Sequence, residues 1–232
     1  MTLTKQKPNA PVPWLENGDH LSRREFERLY EQTTDQTKAE LIQGIVYMAS
    51  PVRIDLHAEQ DNRINTWIGN YSMFTPGVKA ATNGSFRIDD WNEPQPDAVL
   101  FLPKKSGGHA EVDEEGFLTG IPELIIEVSN SSKSIDLNAK KKVYREHGVK
   151  EYIVWRVLDD MIEWFVHQND SYHPLEADAE GVLRSQAFPG LWLNVPAMLR
   201  GDLLEVFATL QKGCATPEHR KYVEAIGRTQ PT

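Results

Sequence analysis

The chain has 232 residues and a mass of 26.4 kDa, and its 40% hydrophobic and 25% charged residues suit a globular fold with one large domain. Asp and Glu (34) outnumber Lys and Arg (25), so the net charge of −9 excludes a surface that coats nucleic acid and confines any such contact to a local basic strip. One cysteine, Cys214, excludes an intramolecular disulfide framework and a cysteine-built zinc cluster. The start, MTLTKQKPNAPVPW, has no apolar h-region, and no apolar run is longer than Ala98 to Leu102, far below the ~18 residues of a membrane span. A cytoplasmic protein without membrane contact is the expectation.

Residues 1–20, with Pro8, Pro11, Pro13 and Gly18, read as an arm ahead of the core. Ser22 and Glu25 have capping-box spacing and open a short helix to about Gln32. Residues 39–48, AELIQGIVYM, predict a strand or hairpin bending at Gln43-Gly44. Residues 55–71 carry Leu56, Ile64, Trp67, Ile68 and Tyr71 at helical spacing, with Asp55 able to cap. One or two short strands follow in 77–89, then a buried strand in 95–102. The polar, glycine-rich stretch 103–120 reads as a loop outside the core. A strand at 124–129, a helix over 135–148 stopped by Gly148, and paired strands at 151–157 and 161–166 come next. Short strand-like pieces fill 172–195, and helices are expected at 196–211 and 217–226. This order predicts a mixed α/β sheet with helices on both faces, and divides the chain into an arm (1–20), a main domain (21–200) and a helical tail (201–232). No GxGxxG follows a strand, so the arrangement is not a dinucleotide-binding one.

Asp97 and Glu127 each sit in a short apolar run, thirty residues apart. Burying a carboxylate is costly unless its charge is compensated. Neighbouring strands could present both acids at one sheet edge, where a cation such as Mg²⁺, which prefers oxygen ligands, would relieve their repulsion. Alternatively each acid pairs separately with an Arg or Lys. Lys140 falls thirteen residues after Glu127, about one turn into the next helix, within reach of a phosphate or an attacking water. Its plainer reading is an exposed i, i+4 pair with Asp136, worth about 0.3–0.5 kcal/mol. Lys141, Lys142 and Arg145 make this helix the densest basic strip, either a solvated face or a nucleic-acid contact. Trp67, Trp155, Trp164 and Trp192 fit core patterns. His109, His147 and His167 are too scattered for a zinc site.

Pro96-Asp97, GIPELIIEVSNSS (120–132) and DLNAKKKVYREHGVKEYIVW (136–155) together resemble the PD-(D/E)XK nuclease superfamily. More narrowly, they resemble the Uma-type restriction-endonuclease family, long catalogued as a domain of unknown function. The likeness runs from about Ser22 to Leu199 and includes AELIQGIVYMASP and FPGLWLNVPAML. It implies a restriction-endonuclease-like core in which Asp97, Glu127 and the Val128 carbonyl hold Mg²⁺ or Mn²⁺. The superfamily's lysine two positions after the second acid is replaced by Ser129; the Uma-type pattern puts the lysine on the following helix, where Lys140 stands. Glu40 matches the acid of the first strand and His57 the histidine opening the next helix. The family's Asp-Gly-Glu is Gln43-Gly44-Ile45 here, so any role of those two acids is absent.

For Glu40 the choices are a further metal ligand or a surface strand residue; for His57, a contact to the scissile phosphate or a bond to Asp61. The leading expectation is a metal-dependent endonuclease acting on DNA, leaving 5′-phosphate and 3′-hydroxyl ends as the superfamily does. Lys140 would orient or deprotonate the attacking water, and Lys141, Lys142 and Arg145 would steer the backbone. A homodimer contacting through the C-terminal helices would serve double-strand cutting. The alternatives are a catalytically silent nucleic-acid or protein binding module, and a phosphodiesterase of nucleotides.

Overall fold

The computed structural model describes residues 14–33, 38–48, 57–130 and 132–229. Ser22 Oγ accepts from the Glu25 amide while the Glu25 carboxylate accepts from the Ser22 amide at 3.2 Å, the reciprocal cap that starts α1 (Arg23–Tyr30). Strands β1 (Ala39–Ile42) and β2 (Ile45–Met48) form the expected hairpin. Both turn residues, Gln43 and Gly44, have positive φ, the geometry that matches strand twist in a two-residue hairpin. Gly44 has a second constraint: a Cβ there would lie 3.1 Å from His20 and Trp91. The proposed Asp55 cap lies outside the described residues; α2 (Glu59–Phe74) follows.

Next come β3 (Lys79–Thr82), β4 (Phe86–Arg87), β5 (Ala98–Phe101), β6 (Glu111–Val112), β7 (Leu118–Thr119) and β8 (Leu124–Ser129). A π-helical segment (Ile135–Lys140) runs into α3 (Lys141–Glu146), so the expected helix over 135–148 begins with a wider turn than an α-helix has. Then follow β9 (Glu151–Arg156), β10 (Met161–Gln168), β11 (Ser171–Pro174), β12 (Val182–Arg184), β13 (Trp192–Asn194), α4 (Val195–Arg200), α5 (Leu203–Cys214) and α6 (Pro217–Thr229).

The main sheet has six strands in the order β11-β10-β9-β8-β5-β3. Within this sheet β8 and β9 pair in parallel, because the π segment and α3 carry the chain back between them. Strand alternation divides the side chains between two cores. Ile126, Val128, Ile153, Trp155 and Trp164 pack with Trp67 of α2 and Val206 of α5. Val99, Phe101, Ile125, Tyr152 and Val154 pack with Tyr144 of α3. The sheet is mixed and has helices on both faces, as expected.

Three expectations change. The stretch 103–120 is not outside the core: Ala110 and Leu118 are buried, and β4, β7 and β6 form a small sheet of their own. Strands of two residues are too short to leave an alternating pattern. The helix expected over 196–211 breaks at Gly201-Asp202, where Gly201 turns left-handed (φ 76°) and Asp202 caps α5 by accepting from the Glu205 amide. Leu15 at one end, and Val206, Leu210 and Ile226 at the other, are buried, so segments read as arm and tail contribute to cores.

One buried acid needs no cation. Glu151 of β9 accepts from Trp164 Nε1, Ser185 Oγ and the amides of Gln186 and Ala187, at 2.6–3.2 Å. Four donors satisfy both carboxylate oxygens and fasten the 185–187 loop to the sheet.

Candidate active site

The pairing of β5 with β8 decides whether the two acids meet. Ala98 lies opposite Ile126, Val99 opposite Ile125 and Leu100 opposite Leu124. Continuing this antiparallel register by one residue sets Asp97 opposite Glu127. Alternation then turns both toward the face that also carries Val99, Phe101 and Ile125, the face α3 covers. Asp97 Oδ2 accepts from the Val128 amide at 2.8 Å, a direct link between the residue before β5 and the far end of β8.

Lys140 closes the π segment and points inward. Its ammonium lies 2.8 Å from Glu40 Oε1, 3.1 Å from Glu127 Oε1 and 3.6 Å from Asp136 Oδ1, and its side chain is only 4% exposed. The pairing with Asp136 is therefore real but buried, one of three ion pairs rather than a lone surface one. Glu40 is not a free surface acid either, because its Oε1 also accepts from the Gln95 amide at 2.6 Å. Tyr144, one turn beyond Lys140, donates its hydroxyl to Glu127 Oε1 at 3.1 Å.

The solvent side of the cluster has different groups. His57 Nε2 lies 3.6 Å from Asp97 Oδ1, so the ring turns to Asp97. Lys38 Nζ reaches the same oxygen at 3.3 Å and Asn83 Oδ1 at 3.4 Å. The Lys38 and His57 side chains are 27% and 23% exposed, against 6% for Asp97.

These contacts set the charges. Burial alone would push Asp97 up, but the His57 bond, the Lys38 charge and the Lys140 charge hold it down at about 2. His57 is raised by its bond to Asp97, against the opposing effect of burial. Burial favours the neutral amine of Lys140, yet Glu127, Glu40 and Asp136 outweigh it and keep the ammonium charged. Glu127 is pushed well up by burial, with Lys140 opposing and Asp97, Asp136 and Glu40 adding to the rise. Glu40, Glu127 and Asp136 thus share the one buried ammonium of Lys140.

The basic strip separates from this cluster. Lys142 and Arg145 are on the outside of α3, near Glu146, and Lys141 Nζ lies 3.3 Å above the Phe165 ring. With Gln43, Asn138, Ser171 and Tyr172 they line a groove of about 640 Å³. Lys140 and its basic neighbours share a helix but not a face.

Sequence reading missed Lys38, Tyr144 and the burial of Asp136. Tyr144 had a usable signal, its i+4 position from Lys140 on the same helix face. Lys38 had none, since only the fold brings it to Asp97.

The family comparison matches residues 23–196, more than half of the chain, to the Uma2 family, described as "Putative restriction endonuclease". The chain belongs to the Uma2 family. No curated protein matches it. A solved structure described as "a putative nuclease belonging to DUF820 from Anabaena variabilis ATCC 29413" superposes with a TM-score of 0.58 at 13% identity, covering 78% of this chain and 98% of that one. At that identity the likeness establishes a shared fold. Membership in Uma2 assigns the chain to a nuclease family. Among the described residues no helix is long and apolar enough to cross a membrane.

Proposed function

We propose that this Uma2 protein is a divalent-metal-dependent endonuclease hydrolysing phosphodiester bonds of DNA. The observation that carries the reading is the convergence of Asp97 and Glu127, opposed across β5 and β8, with Lys140 bonded to Glu127. Among the described residues no group of three or more His, Cys, Asp or Glu stands in metal-holding geometry. Mg²⁺, however, commonly takes only one or two protein carboxylates and completes its shell with water and substrate phosphate. The donor set of Asp97, Glu127 and the Val128 carbonyl fits that habit, and Glu40 is close enough to Lys140 to join the same charge network. When bound, such an ion would lower the pKa of a coordinated water and offset charge at phosphorus.

The chain's own groups do the rest. Lys140, held charged by its acids, keeps Glu40, Glu127 and Asp136 together as their counter-ion; a base at this position would need the neutral amine that its neighbours disfavour. Tyr144 fixes the Glu127 carboxylate, and the Val128 amide fixes that of Asp97. The groove of Lys141, Lys142 and Arg145 holds the DNA backbone away from the acidic remainder of the surface. A catalytically silent binding module is the second reading, favoured by the near-complete enclosure of Lys140.

The purified chain should nick supercoiled DNA with Mg²⁺ or Mn²⁺ and stop when the metal is chelated. Glu127→Gln should lose both cleavage and specific Mn²⁺ affinity measured by calorimetry. Cutting that survives chelation or Glu127→Gln overturns the nuclease mechanism; Mn²⁺-independent DNA binding without cutting selects the silent module. Replacing Lys142 and Arg145 together by Ala should weaken DNA binding and reduce the slope of log affinity against log salt by about two, roughly one per phosphate contact. An unchanged slope removes the groove from the interface. For cutting of both strands we place a homodimer contact on α5 and α6; a monomer mass by light scattering for the cutting species removes it.

A further inference from the structure

The cluster contains two lysines, and the fold gives them opposite situations. Lys140 is enclosed by Glu40, Glu127 and Asp136, so all the acids within its reach are already partners. Lys38 shares one oxygen of Asp97 with His57, rests against Asn83 Oδ1, and remains about a quarter exposed. A phosphodiester approaching Asp97 and Glu127 meets carboxylates that repel it. Among the described residues, the basic side chains that both touch this acid pair and reach solvent are Lys38 and His57. We propose that Lys38, with His57 beside it on Asp97, receives the scissile phosphate. Lys140 is then the internal counter-ion of the acids, and Lys38 is the catalytic residue that touches substrate.

This rests on the nuclease reading and adds a residue to it. A lysine amine is a compact point charge on a flexible stem. Asp97 and Asn83 hold that stem at the mouth of the site, and a phosphate oxygen can replace the Asn83 contact without disturbing the Val128–Asp97 link.

The test uses the full chain and a short fluorescein-labelled DNA duplex. In the cleavage assay with Mg²⁺, Lys38→Met should lower kcat about a hundredfold, the scale lost when one group stabilising transition-state charge is removed, and Lys38→Arg should recover part of it. On the Glu127→Gln background, Lys38→Met should also reduce the salt slope of duplex binding, read by anisotropy, by about 0.9, the value of one phosphate contact. A merely structural lysine would lower the melting temperature without moving that slope. Should Lys38→Met fold poorly, Lys38→Gln, which keeps a polar tip for Asn83, gives the same two readings.

A wild-type chain that cuts and is stopped by Glu127→Gln, yet keeps its kcat and salt slope in Lys38→Met, overturns the Lys38 assignment alone. A wild-type chain that cuts nothing removes the nuclease reading and this inference with it.

Discussion

Replacing Lys140 with Met is expected to cost about 3–5 kcal/mol of stability, the loss found when one partner of a buried ion pair is removed. The reason is local. Glu40, Glu127 and Asp136 all face the ammonium, and three carboxylates left together in a buried site lose their common compensation. For a chain of this length each kcal/mol moves the melting temperature by about 2–4 °C, so a drop of roughly 6–20 °C should appear in a thermal scan. The sign of the pH effect follows from the acids. Glu127 is already displaced upward by burial, so protonating it as pH falls removes an unpaired charge and should shrink the deficit of the variant. The double variant Glu127→Gln, Lys140→Met should recover part of the loss for the same reason. A melting temperature for Lys140→Met within about 2 °C of the parent chain would mean that the ammonium compensates nothing.

How far the sequence discloses this arrangement depends on the range of the interactions involved. The Ser22–Glu25 cap, the Gln43-Gly44 turn and the β8 strand are written in residues adjacent in the chain, and the structure has each where expected. The break at Gly201-Asp202 was also local, a glycine followed by a capping aspartate, but the apolar periodicity on both sides hid it. The buried parts of 103–120 left no periodic trace, because Ala110 and Leu118 are single anchors within short pairings. At the site, Asp97 and Glu127 were legible as carboxylates in apolar runs. The same signal also marks Glu151, which four protein donors satisfy without any cation. A buried acid in a strand therefore identifies a cost, and only the partners tell whether it is a structural staple or a site. Lys38 shows the other limit: fifty-nine residues separate it from Asp97, and no local pattern joins them.

Asp97→Asn should lower cleavage by at least about a hundredfold while leaving the fold in place. The amide oxygen of Asn can still accept from the Val128 amide, so the link between β5 and β8 has an acceptor after the charge is gone. What disappears is the negative oxygen shared by Lys38 and His57, and one of the two carboxylates proposed to hold the metal. The metal-free protein offers a reading independent of turnover. His57 is raised above 6.5 by Asp97, so its imidazole resonances followed by NMR should titrate at lower pH in Asp97→Asn than in the parent. The pair's contribution to stability has defined limits. Because His57 is raised, its share is full below 6.5 and is lost as pH climbs through the raised value; because Asp97 is lowered from 3.8, its share is full above 3.8 and is lost as pH falls through about 2. Between 3.8 and 6.5 both groups are charged in the fold, and there the parent and Asp97→Asn should differ most in thermal stability. An Asp97→Asn protein that still cuts would show that Asp97 does not serve the chemistry, and a His57 that titrates as in the parent would show that Asp97 does not hold the histidine at the mouth of the site.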